Sequence, residues 1–219
     1  MLARVESFED EWAAAPEAVR RVLVLAHEAL TAGGLAVGSV LTGADGSVLA
    51  EGRNRAYDDG PGRGPLHGTP LAHAEMNALG SARTGCDMSA LTLWSTQEPC
   101  SMCAAAAAFT GVGTVRYLAP DPWALASGND GSSGVPHTGM QTWLVAANVM
   151  FLRSVLVKAH GPDEPTTLTR CRELEPETTA LHDALPAGLP TETAVETWLA
   201  AHWAALREAA ALRDRRLAR

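Results

Sequence analysis

The sequence predicts an α/β protein with a layered β-sheet, followed by a helical C-terminal extension. Two observations support this fold class. Short β-type runs alternate with helical segments up to about residue 160, an order typical of layered α/β sheets. Beyond Pro162 the composition shifts to Glu, Thr, Pro and Ala, with helical periodicity. We therefore expect two domains, at residues 1–160 and 161–219, with the second packed on the core or on a partner subunit.

The first elements are a helix and a hairpin. Residues 7–33 are predicted to be helical, because apolar residues recur near the helical period. Short β-type runs at 36–41 and 47–51 are joined by a Gly-Ala-Asp-Gly turn, whose residues tolerate positive φ, so they predict a hairpin. Residues 54–69 are rich in Gly, Pro and Asp and predict a loop.

Two helix–strand units follow this loop. Helical patterns at 72–82 and 100–110 alternate with strand patterns at 91–96 and 113–118. This alternation places the strands in a sheet and the helices on its faces. Residues 124–140 are rich in Gly and Ser and predict a second loop.

The remaining chain is predicted to be largely helical. Residues 141–160 form an apolar helix or a helix–strand pair, and helical patterns return at about 164–182 and 192–218. The last pattern is rich in arginine, which predicts either a solvated helix end or a nucleic-acid-binding site. Its arginines are Arg207, Arg213, Arg215, Arg216 and Arg219.

Composition narrows the class of protein. The 219 residues are 47% hydrophobic and 19% charged, which excludes a disordered chain. The net charge of −8 argues against a protein that binds nucleic acid or an acidic membrane over its whole surface. The chain shows no basic-then-apolar leader and no apolar stretch near the ~20 residues of a membrane span. We therefore expect a cytoplasmic protein with no membrane partner.

Three residues in two short motifs point to metal chemistry. Cys100 and Cys103 stand at the start of a predicted helix, where they share one face and the positive helix end favours thiolates. His73, at the start of the preceding helix, completes three ligands of the kind that zinc prefers. Three protein ligands with an open fourth position are typical of catalytic zinc sites, where the metal lowers the pKa of a bound water. A structural site needs a fourth ligand, for which the chain offers His67, Cys86 and Cys171.

Glu75 indicates what such a site would do. It follows His73 by two residues, so both side chains reach one cavity if His73 lies where the helix begins. A carboxylate beside metal-activated water can take a proton and pass it to a leaving amine. The pattern therefore predicts hydrolytic removal of an amino group from an amidine-like carbon in a heterocycle.

The sequence resembles the zinc-dependent cytidine deaminase-like superfamily, whose signature is H-x-E followed by P-C-x-x-C. Four motifs match, in order and spacing, the branch that contains guanine deaminases, small cytosine deaminases and tRNA adenosine deaminases. They stand here as Val37-Gly38-Ser39-Val40, Gly52-Arg53-Asn54-Arg55, Ala72-His73-Ala74-Glu75 and Glu98-Pro99-Cys100-Ser101-Met102-Cys103. The resemblance covers about residues 20 to 121 and implies the three-layer α/β/α cytidine deaminase-like fold, with a central mixed β-sheet between two layers of helices.

The resemblance implies the same metal site, with His73, Cys100 and Cys103 as the ligands of one zinc ion per subunit. It also implies that Glu75 is the catalytic proton shuttle. Related enzymes are commonly dimers, so we expect a homodimer.

The resemblance further implies which residues bind the substrate. Asn54 corresponds to the asparagine that hydrogen-bonds the base or the sugar, and the backbone N–H of Ala74 to a contact with the ring edge. Asp121 stands at the position where some members have an acidic residue that contacts the substrate. Trp123, beside it, either stacks on a base or serves in packing or a dimer contact.

The expected reaction is hydrolytic deamination of a small nucleobase, nucleoside or related aminated heterocycle, guanine-like or cytosine-like, with release of ammonia. The acidic net charge favours a small molecule over nucleic acid as the partner. Two alternatives stay open, a tRNA adenosine deaminase that converts adenosine to inosine and a zinc-stabilised binding domain without turnover. Glu75 argues against the second, because a structural zinc site has no use for a shuttle carboxylate.

Overall fold

The computed structural model describes residues 7–59, 64–121, 135–136, 140–159, 163–190 and 194–219. Its first elements are α1 (Phe8–Ala14), α2 (Glu17–Thr31), β1 (Gly38–Thr42), β2 (Val48–Arg53), α3 (Ala74–Ser81), a 3-10 turn (Met88–Ala90), β3 (Thr92–Gln97), α4 (Ser101–Thr110) and β4 (Thr114–Ala119). They are followed by β5 (Val135–Pro136), α5 (Gln141–Lys158), α6 (Thr166–Leu174), α7 (Pro176–Ala184) and α8 (Val195–Leu217).

One mixed sheet forms the middle layer, with the strand order β2-β1-β3-β4-β5. β1 is antiparallel to both β2 and β3, whereas β4 is parallel to β3 and β5. As a consequence β2, β3 and β4 run in one direction, and their C-terminal ends lie at the same edge of the sheet. β5 falls inside the segment 124–140 that the sequence predicted to be a loop. A two-residue edge strand that ends in proline is too short to give a strand pattern.

Helices cover both faces of the sheet, which confirms the predicted three-layer α/β/α architecture. On one face α2, α5 and α8 enclose the main core, where they meet Val40, Trp94 and Leu118 of the sheet. On the other face α3 and α4 pack on Leu41 and Leu93. Alternate residues of β3 therefore point to different layers, with Trp94 towards α2 and Leu93 towards α3 and α4.

Prolines divide two of the predicted helices. The segment 7–33 forms α1 and α2, because the residue before Pro16 is held in extended backbone and α2 begins directly after this proline. The segment 164–182 likewise forms α6 and α7, which are separated at Glu175, with Pro176 as the first residue of α7.

The C-terminal helices share the main core with the first ones. α5 is one continuous helix, where the sequence had left a helix–strand pair open, and α8 contributes Trp198 and Trp203 to the same core. Arg213 of α8 donates hydrogen bonds to both carboxylate oxygens of Glu175, at 2.5 and 2.6 Å, and to the side-chain oxygen of Gln141 at 2.8 Å. One buried arginine thus ties α8 to α5 and to the junction of α6 and α7. The division into two domains at residue 160 stays a prediction.

In the part of the chain that the structure describes, no helix combines the length and the apolar character needed to cross a membrane.

Two glycines allow helices to approach the sheet closely. A β-carbon on Gly38 would lie 2.2 Å from the carbonyl oxygen of Val22 in α2. A β-carbon on Gly52 would lie 2.5 Å from the carbonyl oxygen of Ala74 and 2.6 Å from the backbone nitrogen of Ala78 in α3. Helix backbone cannot give way at such distances unless the whole helix moves. The seating of α3 on β2 therefore depends on Gly52.

We expect Gly52→Ala to lower the free energy of unfolding by about 1–3 kcal/mol, because the added methyl group forces α3 away from β2. Gly80→Ala is the matched control, since Gly80 lies in α3 itself and nothing lies within 4 Å of its β-carbon position. That substitution should raise the free energy of unfolding by roughly 0.5–1 kcal/mol. Urea denaturation measures both changes, and an equal loss in the two variants would contradict the explanation by close approach.

Candidate active site

α3 and α4 begin near each other, at the sheet edge where β2, β3 and β4 end. His73 is the N-cap residue of α3 and Cys100 is the N-cap residue of α4, and both have extended backbone, with ψ of 156° and 168°. An N-cap residue lies outside the regular helical spacing. For this reason His73 and Glu75 can line the same cavity although only one residue separates them. The positive ends of both helices point towards this place.

The side chains of His73, Cys100 and Cys103 form a nearly equilateral triangle. Nδ1 of His73 lies 3.6 Å from Sγ of Cys100 and 3.5 Å from Sγ of Cys103, and the two sulfurs are 3.7 Å apart. A tetrahedral zinc ion with Zn–S distances of about 2.3 Å separates two sulfur ligands by about 3.8 Å. The three donor atoms therefore fit one zinc ion. Among the described residues, no other His, Cys, Asp or Glu joins this group.

Close contact sets the protonation of these groups. The hydrogen bonds with Cys103 and, to a smaller extent, with His73 lower the pKa of the Cys100 thiol to about 3. The pKa of Cys103 is raised, mainly by its hydrogen bond with Cys100 and next by burial. The pKa of His73 is raised, mainly by its hydrogen bond with Cys100. The triangle thus holds a thiolate, which is the metal-binding form of cysteine.

Glu75 lies against this triangle and has only 3% of its surface exposed. The Ser95 hydroxyl donates a hydrogen bond to Oε1 at 2.7 Å, and Oε2 lies 3.5 Å from Sγ of Cys103. Burial is the main cause that raises the pKa of the Glu75 carboxyl. A carboxylate with a raised pKa accepts a proton more readily than an exposed one, which suits a group that exchanges protons with a substrate.

A cavity of about 410 Å³ adjoins the triangle and Glu75. This volume is in the range of small-molecule sites. The strand ends contribute Asn54, Gln97 and Asp121 to its wall, and the end of α5 and residues 165–167 line it as well. Nζ of Lys158, one of these residues, lies 4.8 Å from the ring centre of Tyr57.

The residues predicted to bind substrate fall in different places. Asn54 and Asp121 line the cavity and are largely buried. Oδ1 of Asn54 accepts a hydrogen bond from the backbone N–H of Ala56 at 3.1 Å, which leaves its Nδ2 without a hydrogen bond among the described residues. Ala74 is fully buried at the start of α3 and does not itself line the cavity. Trp123 lies outside the described residues.

The alternative metal ligands lie apart from the triangle. Cys86 is exposed, and Cys171 is buried in a separate apolar cluster. His67 faces Asp58 instead, with 3.7 Å between Nδ1 and Oδ2. The described residues thus offer three candidate ligand atoms for one metal ion and no fourth.

Sequence reasoning missed two parts of this site. Ser95 and Gln97 stand at alternate positions of β3, and that alternation was the signal that could have placed them on the face of α3 and α4. The wall formed by residues 158–159 and 165–167 carries no motif, so nothing in the sequence indicated it.

Comparison with known proteins identifies the same region. A family model for the cytidine and deoxycytidylate deaminase zinc-binding region matches residues 14–119. The tRNA(Ile)-lysidine synthase of Deinococcus radiodurans is 34% identical over 125 residues, which make up 56% of this chain and 20% of that protein. The chain therefore spans about a fifth of the length of this curated relative.

Solved structures are similar as well. A structure from a study of A-to-I editing by tRNA:A34 deaminases is 29% identical, with a TM-score of 0.42 over 54% of this chain and 92% of that one. A structure in complex with 2,6-diaminopurine is 24% identical, with a TM-score of 0.51 over 68% of this chain and 86% of that one, and it shows the shared fold. The segment that the family model matches contains His73, Glu75, Cys100 and Cys103, so residues 14–119 of this chain are identified as a cytidine and deoxycytidylate deaminase zinc-binding region.

Proposed function

We propose that this chain is a zinc-dependent aminohydrolase. It removes the amino group of a small nucleobase, nucleoside or related heterocycle, guanine-like or cytosine-like, and releases ammonia. The observation that carries this proposal is the buried Glu75 carboxylate, held by Ser95 within 3.5 Å of a metal-ligand triangle and facing a cavity. A site that only stabilised the fold would have no need of such a carboxylate.

Each member of the site has a part in the proposed reaction. His73, Cys100 and Cys103 hold one zinc ion, which when bound acts as a Lewis acid and lowers the pKa of water to about 7. Glu75 takes a proton from the attacking water and gives it to the ring nitrogen next to the amine-bearing carbon. It then takes the remaining proton from the added hydroxyl and gives it to the leaving amino group, which departs as ammonia while the carbonyl forms. The balance is one water consumed, one C–N bond broken, one C=O bond formed and one ammonia released.

The substrate contacts follow from the cavity wall. Nδ2 of Asn54 is available as a donor, because Ala56 already occupies its Oδ1. Asp121 offers a carboxylate at the end of β4, where it can accept a hydrogen bond from a ring N–H or an amine. The backbone N–H of Ala74 stays the proposed contact with the ring edge, and the stacking of Trp123 on a base stays a prediction.

The charge of the cavity favours a small molecule over tRNA. Glu75, Glu98 and Asp121 line it together with a single lysine, Lys158. A wall with more acids than bases repels a phosphate backbone, whereas a neutral heterocycle is accepted. Assembly as a homodimer and a cytoplasmic location stay predictions.

The ion pairs of the arginines at the end of α8 also argue against nucleic-acid binding by this helix. Arg213 pairs with Glu175, and Nε of Arg216 lies 2.7 Å from a carboxylate oxygen of Glu177. Arg207 lies 3.6 Å from a carboxylate oxygen of Glu11. These three arginines are thus paired within the chain, which reduces the positive field available to phosphates.

We expect Glu75→Gln to abolish ammonia release from every substrate of the wild type while zinc is retained at one ion per chain. The amide keeps the size of the side chain but cannot take a proton. Ammonia is measured over bases, nucleosides, nucleotides and aminated triazines, and zinc by atomic emission. A Glu75→Gln protein with wild-type turnover would contradict the proposed mechanism.

We expect Ser95→Ala to lower kcat by about 10- to 100-fold with little change in KM, because Glu75 loses the donor that orients its carboxylate. Ser39→Ala is the matched control. The Ser39 hydroxyl is also buried and stands opposite Ser95 in the sheet, but it donates to the carbonyl oxygen of Trp94 at 2.7 Å. Steady-state kinetics distinguish the two variants, and an equal loss of kcat in both would contradict an orienting role for Ser95.

A further inference from the structure

Gln97, the last residue of β3, carries a buried amide that the fold does not use. Only 3% of its surface is exposed, and neither Nε2 nor Oε1 has a hydrogen-bond partner among the described residues. Buried polar groups in folded proteins are almost always paired, because an unpaired donor or acceptor costs free energy. An amide with both atoms unpaired therefore calls for a function that offsets this cost.

The strand directs Gln97 to the face on which Glu75 lies. Successive residues of a β-strand point to opposite faces, so Leu93, Ser95 and Gln97 share one face of β3. Leu93 packs on that face in the cluster beneath α3 and α4, and the Ser95 hydroxyl donates to Glu75. Gln97 is the next residue on this face, one step closer to the end of the strand, and it lines the cavity.

Three other described residues with buried, unpaired polar atoms do not line this cavity. Oδ1 of Asn148, in the middle of α5, has no partner, but Asn148 is not part of the cavity wall. The same holds for His182 and Thr178 of α7. Asn54 does line the cavity, but its Oδ1 accepts from the backbone N–H of Ala56. Among these residues Gln97 is thus the one in the cavity wall whose two amide atoms are both unpaired.

We propose that Gln97 is a specificity-determining residue whose amide binds a lactam edge of the substrate, where a ring N–H and a carbonyl oxygen stand side by side. This inference rests on the proposed function, because it assigns a ligand contact to the same cavity. The amide oxygen of Gln97 accepts from the ring N–H, and Nε2 donates to the carbonyl oxygen. Glutamine and asparagine form paired contacts of this kind with base edges in other settings.

Such a contact selects among heterocycles more sharply than shape does. A ligand without the lactam edge leaves both atoms of the buried amide unpaired, whereas the correct ligand satisfies them together. Apolar side chains line the same cavity, among them Leu35, Val37 and Phe151. These side chains contact rings of many kinds, so discrimination falls to the few polar groups.

The experiment compares two pairs of bases that share the amine-bearing carbon and differ in the lactam edge. Guanine is compared with 2-aminopurine, and cytosine with 4-aminopyrimidine. Affinities are measured by calorimetry on zinc-loaded Glu75→Gln protein, in which the proposed chemistry is blocked. We expect the protein to bind the lactam-bearing member of at least one pair roughly 10- to 100-fold more tightly. Adding Gln97→Met should remove that preference through weaker binding of the lactam-bearing base.

Asn148→Leu is the matched control, because it also replaces a buried amide that has an unpaired atom. It should leave the preference between the bases unchanged. Gln97→Leu serves as a second variant at the site, so that a folding defect in one replacement does not decide the result. Melting temperatures of the unliganded proteins should stay equal or rise in the Gln97 variants, since an unpaired amide is removed.

Three outcomes would overturn the inference. Equal affinity for both members of each pair, or binding of none of the four bases, would show that Gln97 does not recognise a lactam edge. A preference that survives in both Gln97 variants would show the same. Ammonia release by protein with Glu75 intact is measured separately. Binding with the expected preference but without ammonia release would contradict the proposed function alone, and ammonia release with an unchanged preference would contradict the role of Gln97 alone.

Discussion

The close approach of α3 to β2 is the constraint on which the site depends. Gly52 permits that approach, because any β-carbon there would meet the backbone of α3. The depth of α3 on the sheet determines where His73 and Glu75 lie relative to Cys100 at the start of α4. The triangle of ligand atoms has edges of 3.5–3.7 Å, and productive geometries tolerate shifts of only about 0.5 Å. Gly52, although it lies in a strand and does not line the cavity, therefore governs the geometry of the triangle.

β3 supplies the second constraint, since one face of this strand serves three purposes in succession. Leu93 packs under α3 and α4, Ser95 holds the Glu75 carboxylate, and Gln97 reaches the cavity wall. The period of two residues along the strand places the core residue, the partner of Glu75 and the cavity residue on one face. Because β3 is paired on both sides, with β1 and with β4, its backbone is held in the sheet, and this sets the face on which Ser95 and Gln97 lie.

The sequence predicted the parts of the fold and site that short-range patterns encode. Alternating helical and strand patterns predicted a layered α/β sheet, and the resemblance of the motifs implied its three layers. The spacing of His73, Cys100 and Cys103 at two helix starts predicted a group that the structure brings together. Ser95 could not be predicted to touch Glu75, because that contact joins residues twenty positions apart across the sheet and helix layers. The cavity wall from residues 165–167 depends on how the C-terminal helices pack, and no local motif records that packing.

The proposed function requires that His73, Cys100 and Cys103 form an open, catalytic zinc site. X-ray absorption at the zinc edge of the zinc-loaded chain is the decisive measurement, because it counts the neighbours of the metal by element. We expect two sulfur neighbours, one imidazole and one further light-atom neighbour that a bound ligand can replace. A third sulfur or a second imidazole would mean that the protein closes the site with four of its own residues, and this result would contradict an open catalytic site.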